Sequence, residues 1–456
     1  MARQPIFHEL QQLPTDERIR ALQRIIPLDL VQEVLQHTGH TRRHCPRLPH
    51  WFMVYFVLGL GLFAKDCYRQ VYKNLQRFRR GGTPSRNALG EARKGLGIPP
   101  IRLLRSKVVR LLATTDHTPD AFYAGMRLMA LDGFVLNLPD TPDNARVFGK
   151  PQSGRAEGAF PQARVLALCE TGTHVLYQHL IKPCRRGEVS MTPYLLRWLK
   201  EGMLLLWDRN FLSYEHLQIV KKRKADLLAR LKSNYVFEPI AELPDGSYLS
   251  KMYPSSWHRK MDRDGILVRI IEYTLDDPNR PHEGETHRLL TTLLEAEKHP
   301  AEELIVLYHE RWEEELTIDE LKTHQQERPV LRSQTPEGVI QEIEGLLLAH
   351  YAVRTLMFEA ACEQGVDPRR LSFTATLKIL RCRLAEVPKN PKDKAGRKRW
   401  WEDLVAEVGE EVLPPRRDRI NPRVIRQKMS KWAKKRPCHY RPPQPTKSFR
   451  DSIVIT

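Results

Sequence analysis

The hydrophobic pattern of the first 120 residues predicts a helical domain. Apolar residues in segment 19–39 (IRALQRIIPLDLVQEVLQHTG) recur at the spacing of one helix face. Segment 51–64 (WFMVYFVLGLGLFA) is apolar throughout, and its 14 residues are too few to cross a bilayer, so it predicts a buried helix. Stretch 83–97 (TPSRNALGEARKGLG) predicts a third, basic helix, which Thr83 or Ser85 could cap.

Near Leu128 the pattern changes to short apolar runs separated by turn signals, which predict β-strands. Three strands come first, followed by a helix, a strand, a second helix and a further strand. Ser190 and Ser213 could cap the two helices. This order is typical of a ribonuclease-H-like α/β core. The strands are predicted in segments 127–139, 163–170, 173–183, 202–208 and 225–232.

Later segments predict an insertion into this core and a long helix behind it. Region 235–292 is again rich in strand patterns, and we interpret it as an inserted β subdomain. Pro300 then begins a helix at the first-turn position that proline tolerates, and segment 338–365 predicts the long helix. The predicted order is a helical N-terminal domain, the first part of the core, the β insertion, the second part of the core, and a basic helical or extended C-terminal region, at residues 1–122, 123–234, 235–297, 298–385 and 386–456.

The chain carries a large surplus of positive charge. Its 456 residues include 74 Lys and Arg against 55 Asp and Glu, which gives a formal charge of +19. A surplus of this size favours a polyanionic partner, and we expect nucleic acid. Segment 414–456 has 13 Lys and Arg against two Asp, so it supplies +11 of that charge. A basic arm that follows DNA phosphates fits this segment, and a disordered, solubilising tail is the alternative.

The N-terminal helices leave two interpretations open. One is a module that contacts DNA, and the other is a domain that only packs against the rest of the chain. The first interpretation requires three exposed cations on the basic helix, namely Arg86, Arg93 and Lys94.

Cysteine usage and the N-terminal sequence favour a protein of the reducing cytoplasm. The seven cysteines are scattered singly without a C-x-x-C pair, which is typical of free thiols in a reducing compartment rather than of zinc sites or disulfides. The first 12 residues (MARQPIFHELQQ) contain no apolar signal core.

An acid-rich stretch, 308–322 (YHERWEEELTIDELK), stands out in this basic chain. Tyr308, Arg311, Glu315 and Lys322 are spaced i, i+3, i+7 and i+14, so on one continuous helix they would lie within about 60° of one another. The alternative is an ordinary amphipathic helix with i,i+4 ion pairs.

Two aspartates follow buried strand patterns. Asp132 ends the run RLMALD, and Asp208 ends GMLLLWD. Functional side chains of open α/β sheets gather at the carboxyl ends of strands, and an acid placed there is costly unless it is paired or binds metal. An ion pair between Asp208 and Arg209 is the alternative.

Together, Asp132, Asp208 and Glu315 predict a catalytic metal site. Two aspartates and a glutamate could hold two Mg²⁺ (or Mn²⁺) ions about 3.5–4 Å apart and activate a water or a 3′-hydroxyl for in-line attack on a phosphodiester. Cations and aromatic residues near these positions and in the basic segment would contact DNA. The predicted DNA-binding residues are Tyr308, Arg311, Lys322, Arg209, Trp257, Arg423, Arg426 and Lys428.

The spacing Y-x2-R-x3-E-x6-K resembles the signature of bacterial insertion-sequence transposases of the D-D-E type, in the insertion-sequence-four group. Segments 130–149 and 202–211 resemble those that hold the two catalytic aspartates of the group, here Asp132 and Asp208. Segments 83–97 and 331–354 and the basic stretch 421–432 (NPRVIRQKMSKW) extend the resemblance over most of the chain.

The resemblance implies a ribonuclease-H-like core with a β insertion, divalent metal, and a homodimer that brings together two terminal inverted repeats of double-stranded DNA. In some relatives an aromatic residue of the insertion stacks on a flipped base. Trp257 is the candidate by location, and a packed core tryptophan is the alternative. The chain departs from the pattern at Phe134, where relatives commonly have threonine or serine.

Three functions are therefore weighed. The first is a DNA transposase that cleaves at element ends and joins 3′-hydroxyls to target DNA. The second is a non-catalytic DNA-binding derivative, and the third is a nuclease on the same fold that does not transfer strands.

Overall fold

The computed structural model describes residues 18–40, 48–76, 82–153, 156–280, 284–309, 311–388, 390, 393–414, 425–426, 433–434, 440 and 444–456. The chain forms two compact units, each assembled from three segments. The first unit contains residues 1–121, 133–187 and 314–413, and the second contains residues 122–132, 188–313 and 414–456. The five-segment domain division stays a prediction.

The helices alternate with strands through the middle of the chain. The α-helices are α1 (Leu28–His37), α2 (His50–Leu62), α3 (Tyr68–Leu75), α4 (Arg86–Leu96), α5 (Pro99–Val108), α6 (Pro142–Phe148), α7 (Glu188–Leu196), α8 (Tyr214–Lys222), α9 (Ser256–Lys260), α10 (Ala301–His309), α11 (Trp312–Asp319), α12 (Pro336–Gln364), α13 (Phe373–Arg383) and α14 (Lys394–Glu410). A π-helix follows α11 at Glu320–Gln325. Short 3₁₀ helices lie at Arg18–Arg24, Pro119–Ala121, Pro368–Arg370, Leu384–Glu386 and Arg450–Ser452.

The strands are β1 (Phe122–Tyr123), β2 (Met126–Asn137), β3 (Gln152–Ser153), β4 (Ala156–Glu157), β5 (Gln162–Glu170), β6 (Val175–Pro183), β7 (Met203–Trp207), β8 (Asp226–Arg230), β9 (Ala241–Glu242), β10 (Tyr248–Met252), β11 (Ile266–Leu275), β12 (His287–Thr291), β13 (Ile425–Arg426), β14 (Ala433–Lys434) and β15 (Ile453–Ile455). None of the described helices is long and apolar enough to cross a membrane.

Two buried helices, α2 and α12, organise the first unit. α2 is buried along nearly its whole length, because its residues are apolar on every face. The two helices touch at Gly61 and Gly345: a Cβ on either glycine would overlap backbone atoms of the other helix. In the same unit β5 and β6 form an antiparallel hairpin beside β2, and their inner side chains pack with those of α12.

The second unit is built on a sheet whose first three strands are parallel. β2 pairs with β7 in the register Arg127↔Met203 through Ala130↔Leu206, and β7 pairs with β8. β12 joins β8 antiparallel, and β11, β10 and β9 follow. The strands of the predicted insertion therefore continue this sheet. The predicted α/β class with a ribonuclease-H-like core is confirmed.

Several cap predictions are confirmed, whereas the single helix predicted at 19–39 is wrong. Ser85 caps α4 by accepting the Ala88 N–H, and Ser213 caps α8 by accepting the His216 N–H. The chain instead forms a 3₁₀ helix and then α1, because Pro27 lacks an N–H and ends the first helix. Ser190 lies inside α7 rather than before it.

Arg93 is a second correction, because it is buried rather than exposed. Its guanidinium donates to Ser333 Oγ at 2.9 Å and also bonds the Tyr68 hydroxyl and the Gly338 carbonyl. It therefore joins α3 and α4 to the start of α12. Arg86 and Lys94 are exposed.

The stretch 308–322 is not one continuous helix. α10 ends at His309, α11 begins at Trp312, and the π-helix begins at Glu320. A π-helix bonds each residue to the fifth one along instead of the fourth, so side chains inside it are rotated relative to those of a regular helix. The single stripe predicted from Tyr308 to Lys322 is therefore wrong.

Candidate active site

Asp132 and Asp208 come shortly after the paired stretch of two neighbouring parallel strands. The last paired residues of β2 and β7 are Ala130 and Leu206, and each aspartate stands two residues further along the sequence. Neighbouring strands are about 4.8 Å apart, so both half-buried residues belong to the carboxyl end of the β2–β7 pair. The predicted position of Asp132 at a strand end needs correction, because β2 continues to Asn137 after its pairing with β7 ends.

A tight turn fixes the carboxylate of Asp208. Its Oδ1 accepts the Arg209 N–H at 2.7 Å and its Oδ2 accepts the Asn210 side-chain amide at 3.3 Å. Trp207, immediately before it, is fully buried and stacks on Phe211. Among the described residues no ion pair joins Asp208 to the guanidinium of Arg209. Each oxygen of Asp208 keeps a further lone pair for another ligand.

Tyr308 holds the end of β7 in place. Its hydroxyl donates to the Trp207 carbonyl oxygen at 3.1 Å, and the guanidinium of Arg311 lies 6.0 Å from the centre of its ring. Burial raises the pKa of Tyr308 well above its ordinary value, and the negative charge of Asp208 adds to the shift. The hydroxyl proton is therefore used inside the protein, and the DNA contact of Tyr308 stays a prediction.

Tyr308→Phe is expected to lower kcat for DNA cleavage while leaving KM for DNA nearly unchanged. The change leaves the Trp207 carbonyl without its partner and loosens Asp208, with a loss of about 1–3 kcal/mol in unfolding free energy. Tyr194→Phe on α7 is the matched control, because that ring is 47% exposed. Equal kcat values for the two variants in single-turnover cleavage would contradict this role.

Glu315 lies on α11, whose residues from position 314 onward belong to the first unit. The buried Thr317 of the same helix lies against β5, where the Cys169 thiol donates to its hydroxyl at 3.6 Å. Five residues after Glu315, Glu320 binds the loop between β5 and β6 and the helix α12. Glu315 is thus carried by a helix that is anchored on two sides.

Glu320 is the centre of a buried ionic network. Its Oε1 lies 2.9 Å from His174 Nδ1, and its Oε2 lies 3.2 Å from His350 Nε2 and accepts Arg354 Nε–H at 2.9 Å. Burial raises the pKa of Glu320, but Arg354 and His174 outweigh it and hold that pKa well below the usual range. Burial also lowers the pKa of His350.

The predicted metal ligands are carboxylates, which is the chemical type of ligand that binds a divalent metal ion. Carboxylate oxygens are the ligands that Mg²⁺ prefers, and Asp132 and Asp208 each stand two residues after the last paired residues of β2 and β7. Within the described part of the chain, no three or more His, Cys, Asp and Glu side chains form a group suited to a metal ion. The convergence of Glu315 with the two aspartates therefore stays a prediction.

The sequence matches two known families. Residues 16–105 match the insertion element 4 transposase N-terminal family, and residues 123–352, more than half of the chain, match the transposase DDE domain. The chain belongs to the transposase DDE-domain family.

Individual relatives agree with the family. The transposase is 28% identical to the transposase InsG for insertion sequence element IS4 of Escherichia coli (strain K12), over 89% of this chain and 91% of that protein. It is 24% identical to the putative transposase InsZ of the same organism, over 43% of this chain and 66% of that protein. A cryo-EM structure of a piggyBac transposase synaptic complex with hairpin DNA is similar at a TM-score of 0.40 and 12% identity, over 88% of this chain and 86% of that chain. The predicted insertion-sequence-four resemblance is confirmed.

The remaining predicted DNA contacts of the transposase are exposed or lie outside the described residues. Arg209 and Lys322 are exposed, and Arg311 is half-buried. Trp257 on α9 is 54% exposed, so the alternative of a packed core tryptophan is wrong. Arg423 and Lys428 lie outside the described residues, as does the side chain of Arg426 on β13.

The sequence analysis did not predict the ionic network around Glu320, and it did not predict that Phe134 packs in the hydrophobic core. His350 and Arg354 stand four residues apart in the mainly apolar middle of α12, and this spacing was the available signal. Phe134 is 5% exposed and belongs to the hydrophobic core of the first unit, so its side chain packs with apolar neighbours.

Proposed function

We propose that the transposase cleaves DNA at the ends of an insertion sequence and joins the 3′-hydroxyl ends to target DNA by in-line attack at phosphorus. The observation that carries the proposal is the parallel pairing of β2 with β7, which ends two residues before Asp132 on one strand and two residues before Asp208 on the other, inside the segment that matches the transposase DDE domain. Two acids at the edge of a parallel pair suit metal-assisted phosphoryl chemistry.

Asp132, Asp208 and Glu315 would hold two Mg²⁺ or Mn²⁺ ions. When bound, such ions activate the attacking oxygen and stabilise the leaving oxygen. Tyr308 keeps the end of β7, and with it Asp208, in position. Arg209, Arg311 and Lys322 would contact backbone phosphates, and the exposed ring of Trp257 could stack on a base.

The partners proposed are double-stranded terminal inverted repeats and target DNA, held by a homodimer in the bacterial cytoplasm. The charge of +19 supports a polyanionic partner. One dimer would bring two element ends to the same target.

The experiment that tests this function combines the protein, Mg²⁺, a labelled element end and a supercoiled plasmid. Inverted repeats in the DNA that flanks the gene supply the end sequence. Products that join the label to the plasmid support a transposase. Labelled fragments alone would indicate a nuclease, and a gel shift without cleavage would indicate a DNA-binding derivative.

Replacing Arg423, Arg426 and Lys428 with alanine is expected to flatten the salt dependence of DNA affinity. Each lost phosphate contact lowers the slope of log K against log salt by about 0.9. Deleting residues 414–456 would be a poor test, because β15 pairs with β11 and the buried Asp277 accepts the Thr446 N–H at 3.0 Å.

The matched control removes three exposed cations of α14, Lys394, Lys398 and Arg399, which changes the net charge by the same amount. Fluorescence anisotropy with a duplex at several salt concentrations measures both variants. If both triple variants give the same slope of log K against log salt, we would interpret segment 414–456 as a solubilising tail.

A further inference from the structure

A basic cleft of about 510 Å³ lies within the first unit, apart from the three catalytic carboxylates. It is formed by the π-helix, the loop that follows it, α13, and the turn after α2. The basic side chains that line it are those of Lys65, Lys322, His324, Arg328, Lys378 and Arg381, and Glu327 is its acidic one. We call this set the basic cleft.

Glu327 and Arg381 stabilise the wall of the basic cleft. Arg381 donates to Glu327 Oε2 at 3.0 Å and to the Leu62 carbonyl at 2.6 Å. Lys65 Nζ lies 3.8 Å from Glu327 Oε1. The single acid of the cleft is therefore shared by Arg381, which the Leu62 carbonyl also holds, and by the exposed Lys65.

Two lysines and one arginine of the basic cleft have no such neutralisation, whereas His324 Nε2 lies 3.3 Å from Asp319 Oδ2. Lys322, Arg328 and Lys378 are exposed, and no carboxylate within the described residues forms an ion pair with any of them. Three like charges on one concave surface repel one another and raise the local concentration of anions. This arrangement favours an anionic ligand with more than one charge.

The rest of the lining narrows the class of ligand. Its described residues include no Phe, Tyr or Trp on which a base could stack. An arginine and lysines on separate elements match successive phosphate oxygens along a strand, because a guanidinium bonds two oxygens and an ammonium acts as a point charge. The chemistry suits a phosphodiester backbone and not base recognition.

We propose that the basic cleft binds backbone phosphates of duplex DNA in a sequence-independent way, as a contact surface that extends from Lys322 to Arg328 and Lys378. The proposal rests on the proposed function, because it assumes that DNA is the partner. It adds Arg328, Lys378 and Lys65 to the DNA-contacting residues, none of which belongs to the Tyr-Arg-Glu-Lys signature. The cleft would hold the duplex beside the helix that carries Glu315.

The test uses full-length Arg328→Ala/Lys378→Ala protein and a labelled duplex of arbitrary sequence. Loss of two phosphate contacts should flatten the slope of log K against log salt by about 1.8, which corresponds to binding weakened by about 60-fold at 0.1 M salt if the two proteins bind equally at 1 M. Lys398→Ala/Arg399→Ala is the matched control, since it removes one exposed lysine and one exposed arginine from α14 of the same unit. Circular dichroism confirms that both variants are folded.

A flattened slope in the cleft variant alone supports the proposal, and identical slopes in the two variants overturn it. Inorganic phosphate is the probe that identifies a small-anion site. If millimolar phosphate raises the melting temperature of the wild type but not of the cleft variant, while the two variants give identical slopes for DNA, the DNA assignment is overturned in favour of a free anion. Joining of the labelled end to the plasmid by the wild-type protein is measured separately. This assay tests the proposed function, whereas the salt slopes test DNA binding by the basic cleft.

Discussion

Replacing Asp208 with asparagine is expected to lower DNA cleavage by about 10³-fold or more while DNA affinity stays the same or rises slightly. Asparagine keeps the size of the side chain and can still accept the Arg209 N–H through its amide oxygen. What it loses is the negative charge that a divalent ion requires. Asp132→Asn and Glu315→Gln are expected to give losses of the same order, because the three acids act as one set.

The control is Asp116→Asn, which removes one charge from an exposed position of the first unit. Single-turnover cleavage of a labelled element end and anisotropy with the same duplex give the two quantities separately. Normal cleavage by any one of the three variants would remove that residue from the site. Loss of binding in parallel with cleavage would indicate a folding defect instead.

The second large effect is expected from Glu320→Gln, which should destabilise the protein by about 3–5 kcal/mol at pH 7. Arg354, which is 2% exposed, would keep its charge without the carboxylate that now neutralises it. Glu402→Gln is the control, because Glu402 is 52% exposed and pairs with Lys398 on the surface of α14. Such pairs contribute only about 0.2–0.5 kcal/mol.

Urea unfolding followed by circular dichroism measures the difference. The change should also lower cleavage, since Glu320 anchors the helix that carries Glu315. Equal unfolding midpoints for the two variants would show that the network around Glu320 does not stabilise the fold.

The difference in unfolding free energy between the wild type and Glu320→Gln should depend on pH in a definite direction. The pKa of Glu320 in the folded protein lies below its unfolded value, so its contribution is complete above about pH 4.3 and is lost as pH falls through the folded pKa. The gap between wild type and Glu320→Gln should therefore narrow below about pH 4. His350, whose pKa is lowered by burial, should make both proteins less stable below about pH 6.5, because only the unfolded chain then binds that proton.

The strands that carry or precede Asp132 and Asp208 could be predicted from the sequence because they depend on local patterns. The apolar runs before Asp132 and Asp208 are short and end in an acid, and parallel neighbours necessarily place such acids at the same edge. Glu315 came from the spacing of a family signature. The α/β class and the caps at Ser85 and Ser213 followed from the same local rules.

The features that could not be predicted depend on contacts between distant residues. Arg93 has the pattern of an exposed cation, but Ser333 and Gly338 bind it from 240 or more positions away. Glu320, the first residue of the π-helix, binds three buried partners from two other parts of the chain, and the local sequence pattern does not show these contacts. The basic C-terminal segment has the composition of a free tail, and yet residues 453–455 form a strand.

That last strand constrains when the protein can finish folding during its synthesis. β15 completes its hydrogen bonds with β11, whose residues are translated about 180 codons earlier. The backbone groups of β11 that bond β15 must therefore stay without these partners until residue 455 has left the ribosome.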